Sequence, residues 1–519
     1  MSDRKLPGLP VGIFSFEQIR TAGKLYVNKT DLLVKMCDSC ERVFLSRPRR
    51  FGKSLTLSTL AAMFSGKAEL FRGLAAESWV AEQARHPNPV LRIDFGLLNN
   101  ATVAELDTAL RDELARIAAK HGVSIVSQTL GGVFKDVIVG LHHRGGPVVV
   151  LVDEYDKPVL DHLNDPKLAE EMRQKLRSFY TVIKGCEEYL RFVMLTGISK
   201  FTKMGVFSAI NNLSDISLDK KFGALCGYTQ EELEAYFSGW IDAAAQTMDM
   251  SREELLAKLK EYYDGFSFDG ITRVYNPFST LQLFSMGDFR NYWYESASPS
   301  FIPEYLKSMH EFSLEKFRHK RVSELFISSR EIEQAAPESF LYQAGYLTLE
   351  KRQGQMLTLD YPNREVLDSL SAMYAELVYN VNDAGNAGLT LWEAFAANDL
   401  ELVKRLYNAA LASIPYEYFG DAREDFYKAI FLTLLRGAGI ISLGELHSSR
   451  GRSDVEVLLP DAVYVIEFKT AADESQAETK RSAGDAQISD RGYAEKYAAD
   501  TRRIVTTTFV IDLEKRQTV

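Results

Sequence analysis

The segment FLSRPRRFGKSLTLSTL, residues 44–60, constrains the fold more than any other part of the chain. A short apolar strand-like run, ERVFLS at 41–46, leads into Gly52-Lys53-Ser54, and helical spacing follows over Lys53 to Phe64. A strand that turns on a glycine into a helix gathers backbone N–H groups in one concavity at the helix N-terminus, where they attract phosphate. A lysine there reaches the β- and γ-phosphates of a nucleotide, and the next hydroxyl holds Mg2+. Gly52 is therefore expected to make the turn, Lys53 to clamp the phosphates and Ser54 to hold the metal. The first half of the loop departs from a glycine-rich type. Arg47 stands where glycine belongs and cannot take a positive φ cheaply, and Pro48 removes an N–H donor. The loop must differ in shape, with its arginines, Arg47 and Arg50 among them, adding positive potential near the phosphates. The alternative is that Arg49 and Arg50 simply face solvent.

Strand-like and helix-like segments alternate to about residue 220. PVLRIDFGLL (89–98), GPVVVLVDEYD (146–156) and LRFVMLTGIS (190–199) read as strands, and 102–122 and 166–183 as helices. Such alternation predicts a parallel sheet covered on both faces, an α/β fold. Five apolar residues end in Asp153-Glu154, at the strand end where ligands bind such sheets. Asp153 is placed to sit behind Mg2+ and Glu154 to orient the attacking water. Thr196 and Ser199, at the end of the next strand, are polar tips that could sense the γ-phosphate. Each signal alone is common; the three in this order predict a nucleotide site.

The chain has 519 residues, too many for one core, so about three domains are expected. Sixty-one basic against 71 acidic residues give a net charge of −10, which excludes a surface coated in positive charge for indiscriminate nucleic-acid binding. No apolar run approaches the roughly 18 residues of a membrane span, and the N-terminus lacks a secretory pattern. Four cysteines make no disulfide framework, so a reducing, cytoplasmic setting is expected. Cys37 and Cys40 form a CxxC without a second pair at zinc spacing. His142 and His143 are read as a solvated loop before the Asp153 strand.

From about residue 225 the pattern is helical, with capping boxes at Thr229/Glu232 and Ser251/Glu254. Residues 337–363 read as a helix end and a two-stranded wing turning at Gln353-Gly354. The end of the chain then gives a helix (423–439), three strands (441–470), a helix (484–500) and a last strand (502–512). Asp454 falls on one strand, and Glu467 and Lys469 share a face of the next. Two carboxylates about 4 Å apart repel by about 4 kcal/mol at an effective dielectric of 20. A divalent cation removes that repulsion, and oxygen ligands with a phosphate substrate favour Mg2+ or Mn2+ over zinc. Glu424, on the preceding helix, is placed to add a carboxylate. A surface Glu–Lys pair on an amphipathic hairpin would look the same from the short motif alone.

The stretches LPVGIFSFEQIRTAGKLYVNKTDLL, FLSRPRRFGKSLTLSTL, VLVDEYDKP, TGISKF…INNLSDIS, YYDGFSF…VYNPFS, FLYQAGYLT and VYVIEFK together resemble the AAA-ATPase-like proteins whose C-terminal part resembles a PD-(D/E)XK nuclease. The RPRRFGKS form is a trait of that family. The resemblance runs over nearly the whole chain and implies a P-loop ATPase domain followed by a nuclease-like domain. Asp454, Glu467-Phe468-Lys469 and the helix acid Glu424 match the PD-(D/E)XK pattern, and Gln487 and Tyr493 match its following helix. Tyr26 and Lys29 lie in the family-like YVNKT segment without an assigned role. The expected organisation is an ATPase domain over 1–222, a helical lid-like region over 223–335, a winged-helix-like and helical linker over 336–415 and a nuclease-like domain over 416–519. The expected function is ATP binding and hydrolysis joined to metal-dependent cleavage of DNA or RNA. A nucleotide switch whose last domain binds nucleic acid or a protein without cleaving is the alternative.

Overall fold

The computed structural model describes residues 6–199, 210, 213–293, 314–324, 337–378, 384–414, 419, 423–448 and 451–519. Most of the stretch that follows Ser199 in the TGISKF…INNLSDIS motif lies outside them. The chain divides into two compact units, Met1–Phe301 with His319–Glu365, and Ile302–Arg318 with Val366–Val519. Of the helical and wing regions expected over 223–415, residues 223–301 and 319–365 fall in the first unit and 302–318 and 366–415 in the second. Among the described residues no helix is long and apolar enough to cross a membrane. All four cysteines are free thiols.

The first unit is built on a five-stranded parallel sheet. Its strands are β1 (Arg42–Ser46), β2 (Val90–Asp94), β3 (Val148–Asp153), β4 (Leu190–Gly197) and β5 (Ser214–Asp215), in the order β2-β3-β4-β1-β5. Every residue of β3 is buried, as its unbroken apolar run requires for a strand covered on both faces. Parallel pairing brings the C-terminal ends of β1, β2, β3 and β4 to one edge of the sheet. The helix Lys53–Phe64 starts there, with Gly52 at φ 95 as its N-cap. A smaller sheet in the same unit has the order β6-β8-β7, with β6 (Lys320–Ser323) joining the expected hairpin of β7 (Thr348–Gln353) and β8 (Met356–Asp360).

The residues that spoil the glycine-rich pattern of the phosphate loop anchor it. Arg47 is 1% exposed, and its guanidinium donates to the carbonyls of Ser46 and Ser217, both at 2.8 Å, and of Phe222 at 3.2 Å. It lies 4.0 Å from the Phe268 ring centre. Phe51 packs edge-on against Phe266 and Phe268, and Trp293 Nε1 donates to the Arg49 carbonyl. Gly345 has no room for a side chain, since a Cβ there would meet Pro48 at 2.7 Å. Arg47 therefore does not lie beside the phosphates, which corrects the expectation from sequence. A slot of carbonyl dipoles and an aromatic face offsets the desolvation that lowers its pKa. The positive φ falls at Arg50 (φ 68) and Gly52 instead.

The second unit holds a mixed sheet of β9 (Ile441–Ser448), β10 (Gly451–Leu458), β11 (Ala462–Ala471), β12 (Arg503–Asp512) and β13 (Gln517–Thr518), in the order β13-β12-β11-β10-β9. Only β11 and β12 are parallel, joined by the helix Ala477–Arg491. That helix begins seven residues before the expected start at 484. Gly484, where the helix was expected to begin, lies inside it, and a Cβ there would stand 2.4 Å from Thr508 Cγ2 on β12. The helix stops at Gly492, left-handed at φ 59. The strand expected over 89–98 ends at Asp94, whose carboxylate caps a 3-10 turn by accepting from Gly96 N. His142 and His143 are not in a loop but in the last turn of a helix, Leu130–Gly145, whose Gly131, Gly132 and Gly140 hid its periodicity.

Replacing Arg47 by methionine is expected to lower the stability of the first unit by about 2–4 kcal/mol, because three buried carbonyls lose their donor. Chemical denaturation read by tryptophan fluorescence measures this. A loss below about 0.5 kcal/mol, the size of an ordinary surface substitution, would show that Arg47 does not hold the loop.

Candidate functional site

A cavity of about 500 Å³ opens at the C-terminal edge of the parallel sheet. Part of its lining is apolar, formed by Ile13 and Phe14 of the N-terminal segment and by Pro277, Phe278 and Leu281 at the helix Pro277–Met286. The rest of the lining includes Arg49, Arg50, Lys53 and Arg92, together with Gly52 and Ser54. A lining that combines apolar and cationic side chains suits a ligand with a flat base and a polyanionic tail. Lys53 is buried, and its ammonium donates to the carbonyls of Arg47 and Pro48, both at 2.9 Å. Burial lowers its pKa, opposed by Asp153, Glu154 and Asp156. Arg50 lies over the ring of Phe278 at 5.0 Å.

Asp153 sits just behind the cavity wall and is 1% exposed. Its Oδ1 accepts from Thr196 Oγ1 at 2.7 Å and from Glu154 N at 3.1 Å, whereas its Oδ2 is buried without a hydrogen-bond partner. Glu154 adopts φ 49, a left-handed conformation that costs a non-glycine residue about 1–2 kcal/mol, and its side chain lines the cavity. Gly96 makes room for it, since a Cβ at that position would meet Glu154 Oε2 at 2.8 Å and Asp94 Oδ1 at 2.9 Å. Burial, and next the charge of Asp153, raise the pKa of Asp94.

Thr196 and Ser199 are turned away from the cavity toward acids. Thr196 holds Asp153, and Ser199 donates through Oγ at 2.6 Å and N at 2.7 Å to the buried Asp156. Both side chains are fully buried, so neither hydroxyl is free to read a γ-phosphate directly; this corrects that part of the sequence reading. Arg92, Asp94, Gly96, Asp156 and the apolar wall were not foreseen. The signal for the first two was available: Arg92 and Asp94 stand two apart, on one face at the end of a parallel strand. Tyr26 and Lys29 receive structural roles. Lys29 pairs with Glu232 of the Thr229 capping box, and burial pushes the Tyr26 hydroxyl up to about 12. His319, Glu350 and Asp360 also gather on the smaller sheet, with His319 Nδ1 2.8 Å from Glu350 and 3.4 Å from Asp360. No spacing in the sequence marks that cluster, in which only His319 is exposed.

In the second unit β10 and β11 pair in antiparallel register as far as Val455↔Ile466, which brings Asp454 beside Glu467 and Phe468. Asp454 Oδ2 accepts from Phe468 N at 2.8 Å, and Oδ1 accepts from Lys428 Nζ at 3.2 Å. Lys428 also pairs with Asp425 at 2.9 Å. Glu467 is 2% exposed. Its Oε1 accepts from Lys469 Nζ at 2.7 Å and from Gln487 Nε2, while its Oε2 is buried without a partner. Burial, and then the charges of Asp454 and Glu424, push the Glu467 carboxyl up to about 7, with Lys469 opposing. Lys469 is raised by its carboxylate neighbours in spite of burial, so it stays an ammonium. Burial also raises Glu424, which feels Lys469, Asp454 and Lys428. Gln487 further donates to Tyr493 at 3.3 Å. Asp454, Glu467, Lys469, Gln487 and Tyr493 thus form one cluster with Glu424 electrostatically coupled to it; Lys428 is the member the sequence reading missed.

Neither centre gathers three acidic or histidine ligand atoms as His319, Glu350 and Asp360 do among the described residues, but each offers carboxylate oxygen to a divalent cation. Each site presents a nearly fully buried carboxylate with one oxygen fixed by hydrogen bonds and the other bare, and bare buried oxygens cost about 1–3 kcal/mol each. Oxygen-only donor sets of this kind suit Mg2+ or Mn2+.

Comparison with known proteins agrees with this division. Residues 10–207 match the family described as predicted AAA-ATPase, AAA-ATPase-like, and residues 422–519 match the PD-(D/E)XK nuclease superfamily. An uncharacterized protein in the vnfD 5' region of Azotobacter chroococcum mcd 1 is 37% identical over 513 residues, covering 96% of this chain and 95% of that protein. Similar solved chains include Cdc6p from Pyrobaculum aerophilum, at 13% identity and TM-score 0.25, covering 72% of this chain and 96% of that one. The ORC2 protein of Aeropyrum pernix in its ADP form, at 10% identity and TM-score 0.27, covers the same shares. The A. pernix ORC1 protein in complex with DNA is 9% identical, with TM-score 0.25 and coverage of 66% and 92%. On the two family matches and the full-length relative, the chain belongs to the AAA-ATPase-like proteins that end in a PD-(D/E)XK nuclease-superfamily domain.

Proposed function

We propose that the first unit binds and hydrolyses ATP, and that the second is a metal-dependent phosphodiesterase acting on DNA or RNA. The observation that carries this reading is a bare buried carboxylate oxygen set among cations and further acids, on Asp153 behind the cavity of Lys53, Ser54 and Glu154 and on Glu467 beside Asp454, Lys469 and Gln487. Asp153 with Ser54, and Asp454 with Glu467, are the residues that would hold Mg2+, with Mn2+ an alternative at the second centre. Bound there, such an ion supplies charge neutralisation at phosphoryl oxygens and a more acidic water.

The chain's own groups do the rest. Gly52 and the following N–H groups receive the phosphates at the start of their helix. Lys53 exchanges the carbonyls of Arg47 and Pro48 for β- and γ-phosphate oxygens. Glu154, held out by its left-handed backbone, accepts a proton from the attacking water. Thr196 and Ser199 act indirectly, by fixing Asp153 and Asp156. At the second centre Lys469, kept protonated by Glu467, meets an oxygen of the phosphodiester, and Gln487 orients Glu467. Glu424 adds negative charge to the same cluster.

One observation favours the alternative of a nucleotide switch without cleavage. Lys428 already places an ammonium 3.2 Å from Asp454. A built-in cation of that kind can satisfy a carboxylate in a centre that binds nucleic acid and never cuts it.

Lys53→Ala is expected to weaken binding of a fluorescent ATP analogue roughly 10–100-fold, the worth of a charged hydrogen bond or two. Glu154→Gln should bind that analogue within about threefold of wild type and lose about 10²–10⁴ in kcat for ATP hydrolysis. Wild-type turnover in Glu154→Gln would remove Glu154 from the chemistry. For the second centre, Glu467→Gln should lose at least about 100-fold of Mn2+-dependent cleavage of single- and double-stranded DNA and RNA while ATP turnover persists. A wild-type protein that cuts none of these with Mg2+ or Mn2+, with or without ATP, leaves the switch as the surviving reading.

A further inference from the structure

Two cations of the cavity, Arg49 and Arg92, make no side-chain hydrogen bond with any described residue, and Arg92 is the one that stands beside the acids. Arg47 is spent on three carbonyls, Arg50 lies over Phe278, and Lys53 is tied to its own loop. Arg92 lines the same cavity as Lys53, Ser54 and Glu154. Its guanidinium is 35% exposed and makes no hydrogen bond with any described residue; its nearest counter-charge is Asp153 Oδ2 at 4.0 Å. In the β2–β3 register Asp94 stands opposite Asp153, so Arg92, two residues back, lies on the face that carries both acids. Arg49 also lines the cavity, but it belongs to the loop that holds Lys53, whereas Arg92 comes from the strand beside Asp153 and Glu154.

We propose that Arg92 supplies, from within the same chain, the guanidinium that neutralises the γ-phosphoryl group during its transfer to water. The inference rests on the reading of this cavity as an ATPase site. Water oxygen bonds to the γ-phosphorus, and the bond to the bridging oxygen breaks with its electron pair leaving on ADP. The proton released by water passes to Glu154 and from there to inorganic phosphate. Charge spreads over the equatorial oxygens of the transferred group, and a planar guanidinium meets two of them at once. Lys53 reaches the same phosphates as a point charge and cannot substitute for that fork. An arginine built into β2 needs no neighbouring subunit, so each chain turns over alone.

The test measures ATP turnover and fluorescent-nucleotide binding of full-length wild type, Arg92→Ala and Arg92→Lys over a hundredfold range of protein concentration. Arginines in this role are worth about 10³–10⁵ in kcat. The expected result is a fall of about 10³-fold in kcat for Arg92→Ala, with nucleotide affinity within about fivefold. Arg92→Lys should fall between the two, and millimolar ethylguanidinium should restore part of the Arg92→Ala activity. Wild-type turnover per chain should not change with concentration, and added Lys53→Ala protein, which keeps its own Arg92, should not restore Arg92→Ala. Turnover of Arg92→Ala within about threefold of wild type overturns the proposal, as does restoration by Lys53→Ala protein. Equal loss of binding and turnover in both variants makes Arg92 a ground-state contact and overturns it too. A wild-type protein that hydrolyses no ATP overturns the ATPase reading along with this one, which separates the two failures.

Discussion

A carboxylate oxygen taken out of water with no hydrogen bond made to it is the constraint on which both halves of this protein turn. Asp153 and Glu467 solve the first part of the problem in the same way, by giving one oxygen two hydrogen bonds and so fixing the plane of the group. The second oxygen is left bare in each. Ordinary folding removes such atoms, because each costs about as much as a hydrogen bond gains. Asp512 carries the same pattern, so the bare oxygen alone does not mark a site; what distinguishes Asp153, at the end of β3, and Glu467, within β11, is that each is flanked by cations and further acids.

The phosphate loop shows a different kind of economy. A glycine-rich loop obtains its shape from backbone freedom, whereas this one obtains it from packing. Arg47, Pro48, Arg49 and Phe51 are each gripped by residues distant in sequence, from Ser217, Phe222 and Phe266 to Trp293 and Gly345. The positive φ then moves to Arg50 and Gly52, next to the helix where the N–H groups are needed. A consequence is that the loop and the segments around Phe268 and Gly345 are one mechanical object. Exchange of the Lys53 hydrogen bonds from loop carbonyls to a nucleotide would be felt directly by those segments.

What could be read in the residues alone follows from the range of the interactions concerned. The parallel strands, the Gly52-Lys53-Ser54 turn and the Asp454, Glu467 and Lys469 hairpin depend on local periodicity, and they stand where alternation and spacing put them. Arg47 was misjudged because its partners lie some 170 residues further along the chain. The helix Ala477–Arg491 was started late, at Gly484, because nothing nearby in sequence announces the close approach of Thr508 that a glycine there permits. The helix Leu130–Gly145 escaped notice through its glycines, and Lys428 through its place among ordinary helical charges. Arg92 and Asp94 were legible in principle, but the strand was carried past Asp94, whose capping of the next turn ends it.

Both centres thus make the same demand on their surroundings, and counting bound ions addresses it most directly. Mn2+ electron paramagnetic resonance on the full chain, with a non-hydrolysable ATP analogue present, should find two tightly held ions in wild type and one in each of Asp153→Asn and Glu467→Gln. Two ions persisting in either variant, or none bound by wild type beyond the nucleotide's own, would show that those bare oxygens do not await a cation.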